Sequence, residues 1–163
     1  MTPNIIKWLQ TKVAPHVNSD TRICEIGSLN VNGSPRSCLP SSKYIGVDRV
    51  PGRGVDVVSQ AHEYLASHTW AFDMVISCEC YEHDPKWWVT DEFAKSALDF
   101  KGLYVVTVPA IGFPFHDYGG DYYRFTEMAL EQVMFKGYTI LDLQTIPGDH
   151  DGEFTVVGFA RKP

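Results

Sequence analysis

Apolar positions along this chain change their period several times, and each change marks an element. Ile5, Ile6, Leu9 and Val13 recur at helical spacing and Pro15 ends the run, which predicts an N-terminal helix over about 4–13. Short apolar runs then predict strands at 22–26, 44–48, 55–58, 73–77, 103–108, 138–145 and 154–160. The runs at 73–77 and 103–108 are near-continuously apolar and rich in β-branched residues, as strands covered on both faces are. Between them, Asp84 as N-cap, Pro85 in the first turn and an apolar series through Trp87, Phe93, Ala94, Ala97 and Leu98 predict a helix over 86–99. A second helix, about 126–135, starts at Thr126 with Glu127 in its first turn, and Gly137 stops it.

Strands alternating with helices imply a parallel sheet with helical crossovers. The last two strand candidates break that rule. Residues 146–153 form a turn too short for a helix, so these strands should be antiparallel neighbours. No repeat, low-complexity tract or linker interrupts the 163 residues, which read as a single domain over 1–163.

Composition narrows the partners. With 44% hydrophobic and 21% charged residues the chain reads as an ordinary globular protein. A formal net charge of −6 and a pI near 5.4 make a nucleic-acid partner unlikely by charge, since such binders carry a basic face. No apolar run approaches the ~18–20 residues of a membrane span. The start, Met1-Thr2-Pro3-Asn4, lacks the basic and apolar regions of a signal peptide. Cys24, Cys38, Cys78 and Cys80 suit reduced thiols, and the expectation is a cytoplasmic protein without structural disulfides.

The chemistry begins at Ile23-Cys24-Glu25-Ile26-Gly27-Ser28 and Ile45-Gly46-Val47-Asp48. An apolar run ends in an acid and a glycine, and a later apolar run ends in an aspartate. The glycine lets backbone approach a ligand, and the second carboxylate can take both hydroxyls of a ribose, which points to a nucleoside-containing cofactor. A nicotinamide dinucleotide would need G-x-G-x-x-G leading into a helix. Here position 29 is leucine, and the prolines at 35 and 40 leave room for barely a turn or two of helix. No tyrosine has a lysine four residues on, so the proton-relay pair of a short-chain oxidoreductase is missing as well. S-adenosylmethionine carries no phosphate but an ammonium and a sulfonium, and Glu25 suits it better.

These residues resemble the class I S-adenosylmethionine-dependent methyltransferases, in particular their small type-11-like members, over about 20–160. The resemblance implies a Rossmann-like, doubly wound α/β fold: a mostly parallel seven-stranded sheet with an antiparallel last strand. Glu25-Ile26-Gly27-Ser28 is similar to the first motif of that family, and Asp48 to its ribose-binding acid. Gln60-Ala61-His62 falls where the family has an acid-alanine pair beside the adenine. The stretch from Phe72 to His83, with Ser77, Cys78 and a closing Glu82-His83, is similar to the fourth motif and the segment after it. The resemblance implies cofactor contacts from Glu25, Ile26, Gly27, Ser28, Gly33, Asp48, Arg49, Ala61, His62, Ser77 and Cys78.

The segment 109–125 is a long aromatic loop leaving the carboxyl end of a strand, where ligands bind in such sheets. By the same resemblance this loop forms part of the acceptor side, which makes His83, His116, Tyr118, Tyr123 and Arg124 the candidates for orienting or deprotonating a methyl acceptor, with His116 or His83 as the base for a hydroxyl. An alternative for Arg124 is a structural pair with Asp121 or Asp117. Cys78, Cys80 and His83 lack the second ligand pair of a closed zinc site, so no metal is expected. The expected function is methyl transfer to a small molecule, a sugar or a lipid-linked intermediate, releasing S-adenosylhomocysteine. The rival is a non-catalytic S-adenosylmethionine-binding module or partner subunit, ahead of an NAD-type oxidoreductase.

Overall fold

Successive residues of a strand point to opposite faces, and in this protein both faces are covered. The computed structural model describes residues 1–117 and 119–163. Strands β1 (Arg22–Ile26), β2 (Lys43–Asp48), β3 (Val57–Val58), β4 (Phe72–Cys78), β5 (Leu98–Pro109), β6 (Thr139–Pro147) and β7 (Phe154–Arg161) make one seven-stranded sheet in the order β3-β2-β1-β4-β5-β7-β6. All neighbours are parallel except β7, which runs antiparallel to both β5 and β6. The mostly parallel sheet with a reversed last strand is therefore observed.

Ile23, Met74, Ile76, Val105, Val157 and Phe159 face one side, where they meet Ile5, Trp8, Leu9 and Val13. Those four belong to helix α1 (Pro3–Trp8) and its wider-turn continuation Leu9–Val13. The Trp8 indole donates to Asp142 at 2.8 Å and Lys12 lies 3.3 Å from the same carboxylate, which fastens α1 to β6. On the other face Cys24, Ile26, Val75, Tyr104 and Val106 meet Leu65 of α2 (Ala61–Leu65), Ala94 and Ala97 of α3 (Trp87–Ala97), and Leu130 and Met134 beyond α4 (Glu127–Ala129). Between β1 and β2 only one tight turn forms, Pro35–Ser37, so α1 covers the area a longer first crossover would have covered.

Several boundaries differ from the sequence expectation. Helix α3 ends at Ala97 instead of 99, because the fully buried Leu98 already pairs with Phe72 in the sheet. Asp84 stands two residues ahead of the N-cap: it accepts from the Lys86 amide at 2.8 Å and the Thr90 hydroxyl at 2.6 Å, so it fixes the turn that enters the helix. Strand β3 is shorter than 55–58, and α2 has no counterpart among the predicted elements. Thr126 caps α4 through a 3.1 Å bond from Ala129, as its position predicts, and Gly137 takes the left-handed conformation that ends the element.

Polar groups inside this fold are paired in chains. Tyr81 and Tyr104, both fully buried, share a 2.5 Å hydroxyl contact; the Tyr104 hydroxyl donates to Asp91 at 2.8 Å and Lys95 closes the series at 2.7 Å. At the amino ends of the strands, Arg22 reaches Asp73 at 2.6 Å and Asp99 at 2.7 Å, tying β1 to β4 and β5. Removing one hydroxyl from the buried chain leaves two partners unsatisfied. Tyr104→Phe should lower the unfolding free energy by about 1–3 kcal/mol, measured by urea denaturation. An unchanged midpoint would mean that the chain does not stabilise the fold.

Candidate active site

Strand β1 has β2 on one side and β4 on the other, so the chain leaves the centre of the sheet in opposite directions. At such a switch point the loops part and a crevice opens at the carboxyl ends of the strands. Here the crevice is a cleft of about 360 Å³ lined from β1, β2, the start of α2, β4 and the β5 loop.

Gly27 leaves β1 with a φ of +73°, and a side chain there would put its Cβ 2.5 Å from the Cys80 sulfur. Only glycine allows both the turn and the contact. Its amide and that of Ser28 donate to the Val47 carbonyl at 2.9 and 3.2 Å, which locks the loop onto β2. At the end of β2, Asp48 accepts from the Leu29 amide at 3.0 Å through one oxygen and from the Val50 amide at 2.9 Å through the other. The carboxylate is thus held rigidly in the cleft wall, and each oxygen keeps acceptor capacity for a ligand hydroxyl.

Glu25 is the buried acid of the cleft. Burial raises its pKa to about 8 against the lowering effects of the Tyr44 hydroxyl, 2.9 Å away, and of the Arg36 charge. The carboxyl is neutral over most of the physiological range until a cation joins it. The cysteines take no part in acid–base chemistry: burial pushes Cys24 up to about 12 and Cys38 to about 11, and raises Cys78 and Cys80 as well. All four are free thiols.

The remaining wall comes from the tight turn Tyr81–His83 and the loop after β5. Glu79 has a φ of +50° and accepts from the Thr107 hydroxyl at 3.0 Å; burial and then the Glu82 charge raise its pKa. His83 and His116 both line the cleft, with ring centroids 4.9 Å apart. The Glu82 carboxylate, 3.7 Å from Nε2, is the first cause of a raised His116 pKa, so this imidazole holds its proton to higher pH than an ordinary histidine.

Neither a family model nor a curated relative matches the chain. Solved structures do. The 1,6-didemethyltoxoflavin-N1-methyltransferase of Burkholderia thailandensis, solved with S-adenosylhomocysteine bound, superposes with a TM-score of 0.75 at 18% identity over 96% of this chain and 77% of that one. The N-methyltransferase NodS of Bradyrhizobium japonicum gives 0.71 at 13% identity over 98% and 95%. The [4+2]-cyclase SpnF gives 0.73 at 13% identity over 98% and 81%. The chain has the class I S-adenosylmethionine-dependent methyltransferase fold.

Against that methyltransferase fold, the predicted residues divide. Glu25, Ile26, Gly27, Gly33, Asp48, Arg49, Ala61, Cys78, His83 and His116 line the one cleft. Ser28, His62, Ser77, Tyr123 and Arg124 do not. Ser28 is buried against Gly46 and Ser77 lies fully buried within β4, so neither reaches the cleft. His62 sits one residue past the lining Ala61 in α2 and does not itself line the cleft. Tyr118 lies outside the described residues. Glu79, Cys80, Phe113 and the first two residues of the chain also line the cleft, and none was singled out for it in the sequence.

Tyr123 and Arg124 have another role. Arg124 binds Asp121 at 2.7 Å, the Pro114 carbonyl at 2.7 Å and the Phe113 carbonyl at 2.9 Å, while Asp121 also accepts from the His116 amide at 2.8 Å. The guanidinium therefore fastens the loop that carries His116, the structural pairing with Asp121 that the sequence left open. Tyr123 donates to the Pro85 carbonyl at 3.0 Å and anchors the same loop to the entry of α3. Lysine cannot span these acceptors with one head group. Arg124→Lys should increase amide hydrogen exchange at Phe113 and His116 while leaving the sheet protected; unchanged exchange there would remove the fastening role.

Proposed function

We propose that this protein transfers a methyl group from S-adenosylmethionine to a small-molecule acceptor. The observation that carries the reading is the placement of Asp48, left-handed Gly27 and buried Glu25 around one cleft at the switch point of a sheet in the order β3-β2-β1-β4-β5-β7-β6. The donor set fits the cofactor: Asp48 for the ribose hydroxyls, Gly27 for close backbone approach, and Glu25 for the cationic end. When bound, the sulfonium supplies an already activated methyl group, so the chain's own task is positioning and exclusion of water. Arg49, Ala61 and Cys78 border the same space.

His83 and His116 stand on the acceptor side, where an acceptor proton would be handled at their imidazoles together with Glu82. Tyr123 and Arg124 act here only by positioning His116. The neighbours favour a small acceptor: one is named as an N-methyltransferase and another acts on 1,6-didemethyltoxoflavin. A second reading has its own support, since SpnF is named a [4+2]-cyclase on a similar fold. A bound S-adenosyl compound without methyl turnover would select that reading over ours. Among the described residues no helix is long and apolar enough to cross a membrane.

Asp48→Ala should weaken S-adenosylhomocysteine binding by about tenfold or more in calorimetry, the cost of two lost bonds to a charged acceptor. Undiminished affinity would refute the ribose assignment. Glu25 adds a pH test. Its carboxyl is neutral below about 8 and attracts a cation only once ionised, so S-adenosylmethionine affinity should rise with pH toward that value. Binding near neutral pH should release a proton, seen as a heat that depends on the buffer. The same raised pKa makes folding stability fall as pH climbs from the ordinary glutamate range of about 4.3 through the folded value, and Glu25→Gln should flatten both trends.

A further inference from the structure

Glu82 is fully buried, and neither of its carboxylate oxygens receives a hydrogen bond. A carboxylate in that state is costly unless a cation stands beside it. His83 Nε2 lies 3.6 Å and His116 Nε2 lies 3.7 Å from the same oxygen, Oε1. Both separations are too long for hydrogen bonds.

The opposite ring nitrogens explain why. His83 Nδ1 bonds to the Gly120 carbonyl, and His116 Nδ1 lies 3.2 Å from the Pro114 carbonyl and 3.6 Å from Asp121. Those partners only accept, so Nδ1 carries the proton in each ring. In the neutral imidazole each Nε2 then presents a lone pair, and both lone pairs face a carboxylate. With both rings neutral, three acceptors converge, and either a proton on Nε2 or a metal ion can join them. The rings stand edge to face at 85°, and the three ligand atoms lie within 4.8 Å of one another.

Ligands about 2.1 Å from a common ion sit roughly 3.0–3.4 Å apart in octahedral or tetrahedral geometry. The two nitrogen–oxygen separations exceed that by only a few tenths of an ångström, and the two imidazole nitrogens lie within 4.8 Å of each other. Histidine held through its second nitrogen by a carbonyl or carboxylate is also the outer arrangement that orients metal ligands.

We propose that Glu82, His83 and His116 form a binding site for a divalent first-row transition cation on the β4–β5 side of the cleft. Two imidazoles and one carboxylate favour zinc, cobalt, iron or manganese over magnesium or calcium, which prefer all-oxygen sets. Three protein ligands leave coordination positions open toward the cleft that His83 and His116 line. The sequence expectation of no metal weighed His83 with Cys78 and Cys80. The fold takes His83 to Glu82 and His116 instead, and the two cysteines stay outside the set. The site shares His83 and His116 with the methyl-transfer reading, but its test does not depend on that reading, because an ion can be measured here with no cofactor present.

The test is a titration of the chelator-treated protein with Co²⁺, followed by visible absorption, and with Zn²⁺ by calorimetry. The expected result is one equivalent bound, with ligand-field bands and no thiolate charge-transfer band. His83→Ala and His116→Ala should each weaken binding by more than tenfold, whereas His150→Ala, in the exposed turn between β6 and β7, should not. Glu82→Gln should act like the histidine variants; because Glu82 lies in the core, the wild-type cobalt spectrum and His116→Ala decide the matter if that variant does not fold. Absence of stoichiometric binding, a thiolate band, or wild-type affinity in both histidine variants would overturn the site and leave a proton as the cation between these groups.

Discussion

The contact between Gly27 and Cys80 sets the geometry on which everything around the cleft depends. No side chain fits at position 27, because the Cys80 side chain fills that space, so the backbone leaving β1 packs directly against Cys80 at the base of the crevice. Above that point they diverge. The β1 loop turns toward Asp48 and is locked by the Val47 carbonyl; the β4 loop turns through Glu79 toward Glu82 and His83. One pinch thus fixes the relative position of the two walls, and with it the distance between Asp48 and the His83 side of the cleft.

Charge is distributed unevenly between the two ends of the sheet. At the amino ends, Arg22 compensates Asp73 and Asp99 in half-exposed pairs that solvent screens. At the carboxyl ends, Glu25, Glu79 and Glu82 are withdrawn from water with hydroxyl partners or with imidazoles at a distance. Glu25 and Glu79 respond by holding their protons to higher pH. Such a surplus of buried acid costs stability, and a cationic ligand offsets part of that cost.

How much of this was legible in the sequence depended on whether a signal was local. The apolar runs at 73–77 and 103–108 marked β4 and β5 because burial on both faces leaves no other pattern. Asp48 and Gly27 were legible because strand-end chemistry uses residues adjacent in sequence. The short β3 and α2 were not, since a two-residue strand and a five-residue helix are set by their neighbours more than by their own pattern. Glu82 was passed over beside His83 because its isolation from donors exists only once the 110–125 loop has folded over it. For the same reason Arg124 looked like an acceptor-side group: its fork meets Asp121 and two carbonyls only in the folded loop.

The position of β7 has a consequence for how the molecule is made. Its residues 154–161 lie between β5 and β6, so β5 keeps an unpaired edge after every strand before it has joined the sheet. During synthesis strands β1 through β5 are complete while that long apolar edge is still open. An unpaired strand edge of this kind is a template for another chain. The interval between emergence of β5 and insertion of β7 spans residues 110–153, and through it the β5 edge is open to intermolecular pairing.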